Sequence, residues 1–123
     1  PRLTVARLDV RDRAAARRVV GEAVDALGRL DVLVNNSGVY EFASIDEFTE
    51  EHYRRQFDVN VLGVLLATQA ASQHLTKGAS VINVDTFIDL NAFEFRHHKT
   101  QNRDALFFFS AHRGFQGIIY AVF

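Results

Sequence analysis

The sequence predicts an α/β fold, a parallel sheet with flanking helices, and three stretches carry that reading. Asp31-Val-Leu-Val-Asn-Asn-Ser-Gly38 is an apolar run that ends in two asparagines, a serine and a glycine. Strands buried on both faces of a parallel sheet read as such Val/Leu runs, and ligands bind beyond their carboxyl ends, so the polar tip is a candidate ligand rim. Gly38 lets a ligand approach the main chain, and the Asn35 and Asn36 amides can tie neighbouring strand ends together. Phe57-Asp-Val-Asn-Val-Leu-Gly63 follows about one helix later, and Ser80-Val-Ile-Asn-Val-Asp-Thr86 supplies the next buried strand. That order is the alternation of β and α elements.

Each element has its own local reasons. Leu3, Val5 and Leu8 lie in a short apolar run ending at Asp9-Val10, which reads as a strand. Asp12 is placed to cap the following helix, where Ala16, Val20, Ala23, Val24 and Leu27 recur on one face and Gly28 is the stop. The strand from Asp31 leads into a loop with Tyr40 and Phe42, which read as aromatics packed under a surface loop. Ser44-Ile-Asp-Glu47 has capping-box spacing, and Thr49 is a second cap before a helix from Glu50 to Asn60. Glu50/Arg54 and Glu51/Arg55 are one turn apart with the acid first, the favourable order on an exposed face. Val61, Leu62, Val64, Leu65, Leu66 and Ala67 make the next turns apolar almost all round, as in a helix pressed between a sheet and another surface. A polar side then returns at Thr68, Gln69, Ser72 and Gln73, and Gly78 is expected to end the element.

Composition excludes several function classes. The chain has 123 residues, one domain at most, and a formal charge of −1, which gives no electrostatic reason to expect nucleic acid or an anionic membrane. Without cysteine there are no disulfides, thiolate nucleophiles or Cys-based zinc sites. No apolar run approaches membrane-spanning length, and a cytoplasmic setting is expected. With Pro1 first and no Met anywhere, the natural start is expected to lie upstream. His97, His98 and His112 have only Glu94 as a nearby acid at helical spacing, so they read as polar surface and no metal site is expected.

Asn35-Asn36-Ser37-Gly38 resembles the Asn-Asn-Ala-Gly motif of the short-chain dehydrogenase/reductases, and Asn60-Val-Leu-Gly63 resembles the Asn-containing turn of their central helix. The resemblance covers about residues 3–86. It implies a partial Rossmann-like sheet, NAD or NADP as cofactor, and alcohol or carbonyl chemistry on a small-molecule substrate. By resemblance Asp9, Val10, Asn35, Ser37 and Gly38 are cofactor-binding positions, with Asp9-Val10 beside an adenine pocket. Tyr40 and Phe42 fall near the substrate entrance. Asn60 matches the asparagine that holds a water in the proton relay, while its own chemistry equally suits bonding to free backbone groups at a helix break. Thr86 falls at the catalytic serine, keeping the hydroxyl with a stiffer rotamer, and Asp85 beside it puts a charge where an alkoxide would develop.

The sequence also departs from that family. Where Tyr-x-x-x-Lys is expected it reads Phe95-Arg-His-His-Lys-Thr-Gln-Asn102, with Lys99 at the tyrosine's place and Arg103 at the lysine's. The glycine-rich phosphate loop belongs upstream of Pro1. From Phe87 onward the composition changes: Phe87, Phe93, Phe95, Phe107, Phe108, Phe109, Phe115 and Phe123 all fall there, so residues 1–86 read as the partial dinucleotide-binding unit and 87–123 as a divergent tail. In the strand order 3-2-1-4-5-6 the first two strands lie between the third and fourth, leaving two empty positions between Leu3–Leu8 and the strand from Asp31. Either the three strands close ranks, or another chain supplies the missing two. Two functions follow: a partial oxidoreductase, inactive as given, or a non-catalytic domain that associates with itself or a paralogue through the Phe-rich tail.

Overall fold

The computed structural model describes residues 3–41 and 43–84, with side chains from residue 5, and the backbone of two further strands near the C-terminus. The first strand, β1 (Leu3–Leu8), leads into a turn closed by the Asp12 N–H donating to the Asp9 carbonyl at 3.0 Å. Helix α1 (Arg13–Leu27) follows, with the Asp12 carboxylate accepting from the Ala15 N–H at 3.0 Å. Its face of Ala16, Val19, Val20 and Ala23 is buried. Gly28 ends it at φ 82°, a left-handed conformation that lets its N–H reach the Val24 carbonyl at 2.7 Å.

Strand β2 (Leu30–Asn36) runs next, and α2 (Glu50–Phe57) starts at Thr49 rather than at Ser44. The Thr49 hydroxyl accepts from the His52 N–H while His52 Nδ1 accepts from the Thr49 N–H, so a histidine completes the reciprocal cap. Ser44 and Glu47 instead close a small turn of their own. Both expected acid-first pairs form, Glu50 with Arg54 and Glu51 with Arg55. Past Phe57 the helix widens into a π-helical segment, Asp58–Gly63, and then tightens into α3 (Val64–Ser72).

The helix therefore ends at Ser72, short of Gly78. Strand pairing overrides the local signal: β3 (Leu75–Asn83) starts where Leu75 pairs with Leu30. The next pair is Val32 with Ser80, so β3 carries three more residues than β2 across that step. Gly78, at φ 90°, supplies the unusual backbone that this excursion needs.

The sheet closes in a way the sequence left open. Strands β4 (Ala105–His112) and β5 (Phe115–Val122) come from the Phe-rich tail, and the order is β1-β4-β5-β2-β3. The tail hairpin fills both empty positions, so the three strands do not close ranks and no second chain is called on. β5 runs parallel to β2, whereas β4 is antiparallel to both β1 and β5, making the sheet mixed rather than wholly parallel. Two successive crossovers, β1 to β2 and β2 to β3, step in the same direction, and right-handed connections put their helices on one face. Accordingly α1 and α3 pack on each other, α1 over β1 and β5 and α3 over β2 and β3. Leu8, Val10, Val19, Val20, Leu30, Leu33, Val59 and Ala71 form the core between these layers. Complete burial of a Leu such as Leu30 or Leu33 contributes about 1.5–3 kcal/mol.

Candidate cofactor site at the strand tips

The Asn-Asn-Ser-Gly segment sits at the carboxyl end of β2, between β5 and β3. Asn35 is buried, and its Nδ2 donates to Asn83 Oδ1 at 2.9 Å and to Thr68 Oγ1 at 3.1 Å, joining the tips of β2 and β3 to α3. The Val84 N–H donates to the Asn35 carbonyl at 2.8 Å and carries the ladder one residue further. Two residues on, Ser37 is also buried. Asn35 Oδ1 and Ser37 Oγ have no hydrogen-bond partner among the described residues. A buried polar atom without a partner costs about 1–3 kcal/mol, and Gln56 Oε1 is a third such atom among the described residues.

Asn60 lies in the π-helical segment and grips the loop after β2 with both ends of its amide. Its Oδ1 accepts from the Val39 N–H at 2.8 Å and its Nδ2 donates to the Val39 carbonyl at 2.9 Å. The helix comes close to the β1 tip here, because Gly63 lies directly over Val10. Asp9 is engaged by its neighbour: Arg11 donates from its backbone N–H, Nε and Nη2 to the Asp9 carboxylate at 2.6–3.2 Å.

Strands β4 and β5 set the spacing between the two tips. Three interstrand steps of about 4.8 Å put Asp9-Val10 roughly 14 Å from Ser37-Gly38 across the sheet. The same separation holds between the third and fourth strands of a complete 3-2-1-4 sheet. A polar hollow of about 280 Å³ lined by Arg17, Gln69, Ala70, Gln73 and His74 belongs to the helix layer and contains none of the strand-tip residues. Thr86, Asp85, Lys99, Arg103, Phe42, Glu94, His97 and His98 lie outside the described residues, as does the side chain of His112. Among the described residues no group of three or more His, Asp or Glu could hold a metal ion.

Sequence reasoning missed Thr68 as the partner of Asn35. Its only signal is its place two turns after Asn60 on the same helix, which becomes readable once the helix is known to lie over β2. It also missed Glu41, Arg55 and Gln56, whose joint role is visible only in the folded loop.

The sequence profile described as short chain dehydrogenase matches residues 1–95. The chain belongs to the short chain dehydrogenase family. Among its relatives is an uncharacterised oxidoreductase of Methylorubrum extorquens, 68% identical over 80 residues that make up 65% of this chain and 32% of that protein. A sorbitol dehydrogenase of Cereibacter sphaeroides is 40% identical over 63% of this chain and 31% of its own length. Among solved structures, a short chain dehydrogenase from Burkholderia cenocepacia in complex with NADP matches with a TM-score of 0.58 and 37% identity, over 61% of this chain and 31% of that one. The matches thus span about one third of the length of these short chain dehydrogenase relatives, at 31–32%.

Proposed function

We propose that this chain is the strand-tip portion of an oxidoreductase that uses NAD or NADP on small alcohol or carbonyl substrates in the cytoplasm, and that it does not turn substrate over by itself. The observation that supports the reading best is the Asn35 amide, buried at the β2 tip and tied to Asn83 and Thr68, in the segment that resembles the family's Asn-Asn-Ala-Gly motif.

The described residues suit one end of a dinucleotide and not the other. Asn35 and Ser37 carry buried oxygens without a partner among the described residues, and Gly38 allows close backbone approach at the β2 tip. At the β1 tip the Asp9 carboxylate is taken up by Arg11 and Val10 is buried under Gly63, so an adenine meets little there that is not already engaged. When bound, the nicotinamide group supplies or accepts a hydride. Asn60 keeps one amide proton and one oxygen lone pair beyond its two bonds to Val39, which is what holding a relay water requires. Thr86 is assigned the hydroxyl that orients the substrate oxygen.

Lys99 and Arg103, standing where Tyr and Lys would be, leave the chain without the phenol that donates the proton and the ammonium that holds the ribose. Calorimetric titration of the chain is therefore expected to give dissociation constants of about 1 mM or weaker for NADH and NADPH, with no reductase turnover. A micromolar constant overturns the first expectation. Turnover that disappears in Thr86→Ala and in Lys99→Ala overturns the second.

A second reading, a non-catalytic domain that binds another copy of itself, is favoured by one row of side chains. Tyr53, Phe57, Val61 and Leu65 recur every four residues from α2 through the π-helical segment into α3, with Leu62 beside them, and all are 38–61% exposed. The Tyr53 and Phe57 rings stack with centroids 4.2 Å apart. Taking an aromatic side chain at ~150–250 Å², such a row presents on the order of 400 Å². A two-fold pairing then buries roughly 800 Å² from the row alone, and its flanks carry it towards the 1,200 Å² class of specific interfaces. This row offers a second surface for self-association besides the Phe-rich tail. Light scattering at micromolar concentration is expected to give a dimer that Leu65→Glu converts to monomer; a monomer in the unmodified chain ends this reading.

A further inference from the structure

The loop after β2 is not held by strand pairing, yet its backbone groups are bonded in a regular way. Asn60 takes both the N–H and the carbonyl of Val39. One helical turn earlier, Gln56 donates from Nε2 to the Glu41 carbonyl at 3.2 Å. The two spacings match: four helical residues rise about 6.0 Å, and two extended residues advance about 6.6 Å. Side-chain amides on the helix thus act as the neighbouring strand that the loop lacks. Arg55 Nη1 donates to both oxygens of the Glu41 carboxylate, at 2.8 and 3.1 Å, and His52 Nε2 lies 3.7 Å from the same carboxylate.

Gln56 is an unusual residue for this position. It is 2% exposed, and its Oε1 is buried without a partner among the described residues. Burying an amide with half of its bonding unmet is unfavourable, and an apolar residue of the same length would remove that cost. The Nε2 contact with Glu41 is the bond this amide makes among the described residues, and the orientation follows from it, because a flipped amide would set oxygen against oxygen.

We propose that Gln56 is a positioning residue: together with Asn60 it fixes the loop of residues 39–41, and with it one wall of the strand-tip site that begins at Ser37-Gly38. The functional weight of this wall rests on the cofactor reading given above. Its geometry does not, so the clamp and the cofactor site fail or hold in separate measurements.

Amide hydrogen exchange on the full chain tests it. In the unmodified protein the Gln56 side-chain amide protons are expected to exchange at least ten-fold more slowly than those of an exposed glutamine; a free rate overturns the proposal without any variant. In Gln56→Met, which keeps length and apolar contact, exchange at the Val39 N–H is expected to rise about ten-fold while Val19, Val20 and Leu33 keep their rates. Unchanged loop exchange overturns the proposal. So does a uniform rise across loop and core, which would make Gln56 a packing residue. NADPH titration of the same two proteins reads the cofactor site separately, since a null titration leaves the exchange result standing.

Discussion

Removal of residues 105–123 is expected to abolish the cooperative unfolding transition, leaving a chain without a folded baseline in urea denaturation followed by far-ultraviolet circular dichroism. Those residues supply β4 and β5, which stand between β1 and β2. Without them the six residues of β1 lose every sheet partner they have, and β2 loses the parallel ladder from Val32 to Asn36. Two open edges roughly 14 Å apart then face each other, and only the helix layer joins the halves, through α1 on α3 and Gly63 on Val10. Domains are stable by only about 5–15 kcal/mol, so the loss of two central strands exceeds the margin. The alternative is definite. A truncated chain that still unfolds in one sigmoidal step would show that β1 slides across to pair with β2, the closed-rank arrangement the intact chain does not adopt.

Local chemistry made some of the fold legible and long-range pairing hid the rest. Asp12 and Gly28 bound α1 as read from the sequence, because a carboxylate at a helix start and a glycine past its end act on backbone groups within four residues. The β2 tip was legible for a related reason: an apolar run ending in Asn-Asn-Ser-Gly has few places in a sheet other than a buried strand with a polar mouth. Gly78 misled because the pairing of Leu75 with Leu30 starts β3 earlier than the glycine suggests. The tail was opaque for a stronger reason. Its β-branched and aromatic residues suit strands, but nothing within Ala105–Val122 says which edges they meet or that β4 runs opposite to β1.

The candidate site divides along the same line. Asn35, Ser37 and Asn60 were readable through the family resemblance of Asn35-Asn36-Ser37-Gly38 and Asn60-Val-Leu-Gly63. The partners of Asn35 and Asn60, namely Thr68, Asn83 and Val39, lie 33, 48 and 21 residues away in sequence, and only the crossovers bring them together. The tail hairpin matters to the site as much as to the sheet, since it keeps the β1 and β2 tips apart by the width of two strands. A site built on strand ends inherits its dimensions from whichever strands fill the middle, whatever part of the chain they come from.

Gly63→Ala is expected to lower stability by about 1–3 kcal/mol, and the sign is the informative part. Alanine is the better helix former by about 1 kcal/mol, so at an ordinary helical position the change would stabilise. Gly63 has φ −57° and ψ −45°, an ordinary helical backbone that any residue adopts, which removes conformational need as the reason for a glycine. Space is the reason. An added Cβ would stand 2.6 Å from Val10 Cγ2 and 3.0 Å from Val10 Cβ, and Val10 is 3% exposed with Leu8 and Val59 in the same core cluster. The contact pins the π-helical segment to the β1 tip, three residues from Asn60, so the overpacking acts on the helix that grips Val39. A double-mutant cycle with Val10→Ala isolates it. In the Val10→Ala background the Cγ2 contact is gone and only the Cβ contact at 3.0 Å remains, so Gly63→Ala should cost clearly less than in the unmodified chain, a coupling of about 1 kcal/mol or more by urea denaturation. Additive costs, or a stabilising single substitution, would mean that the helix and the β1 tip do not meet at Gly63.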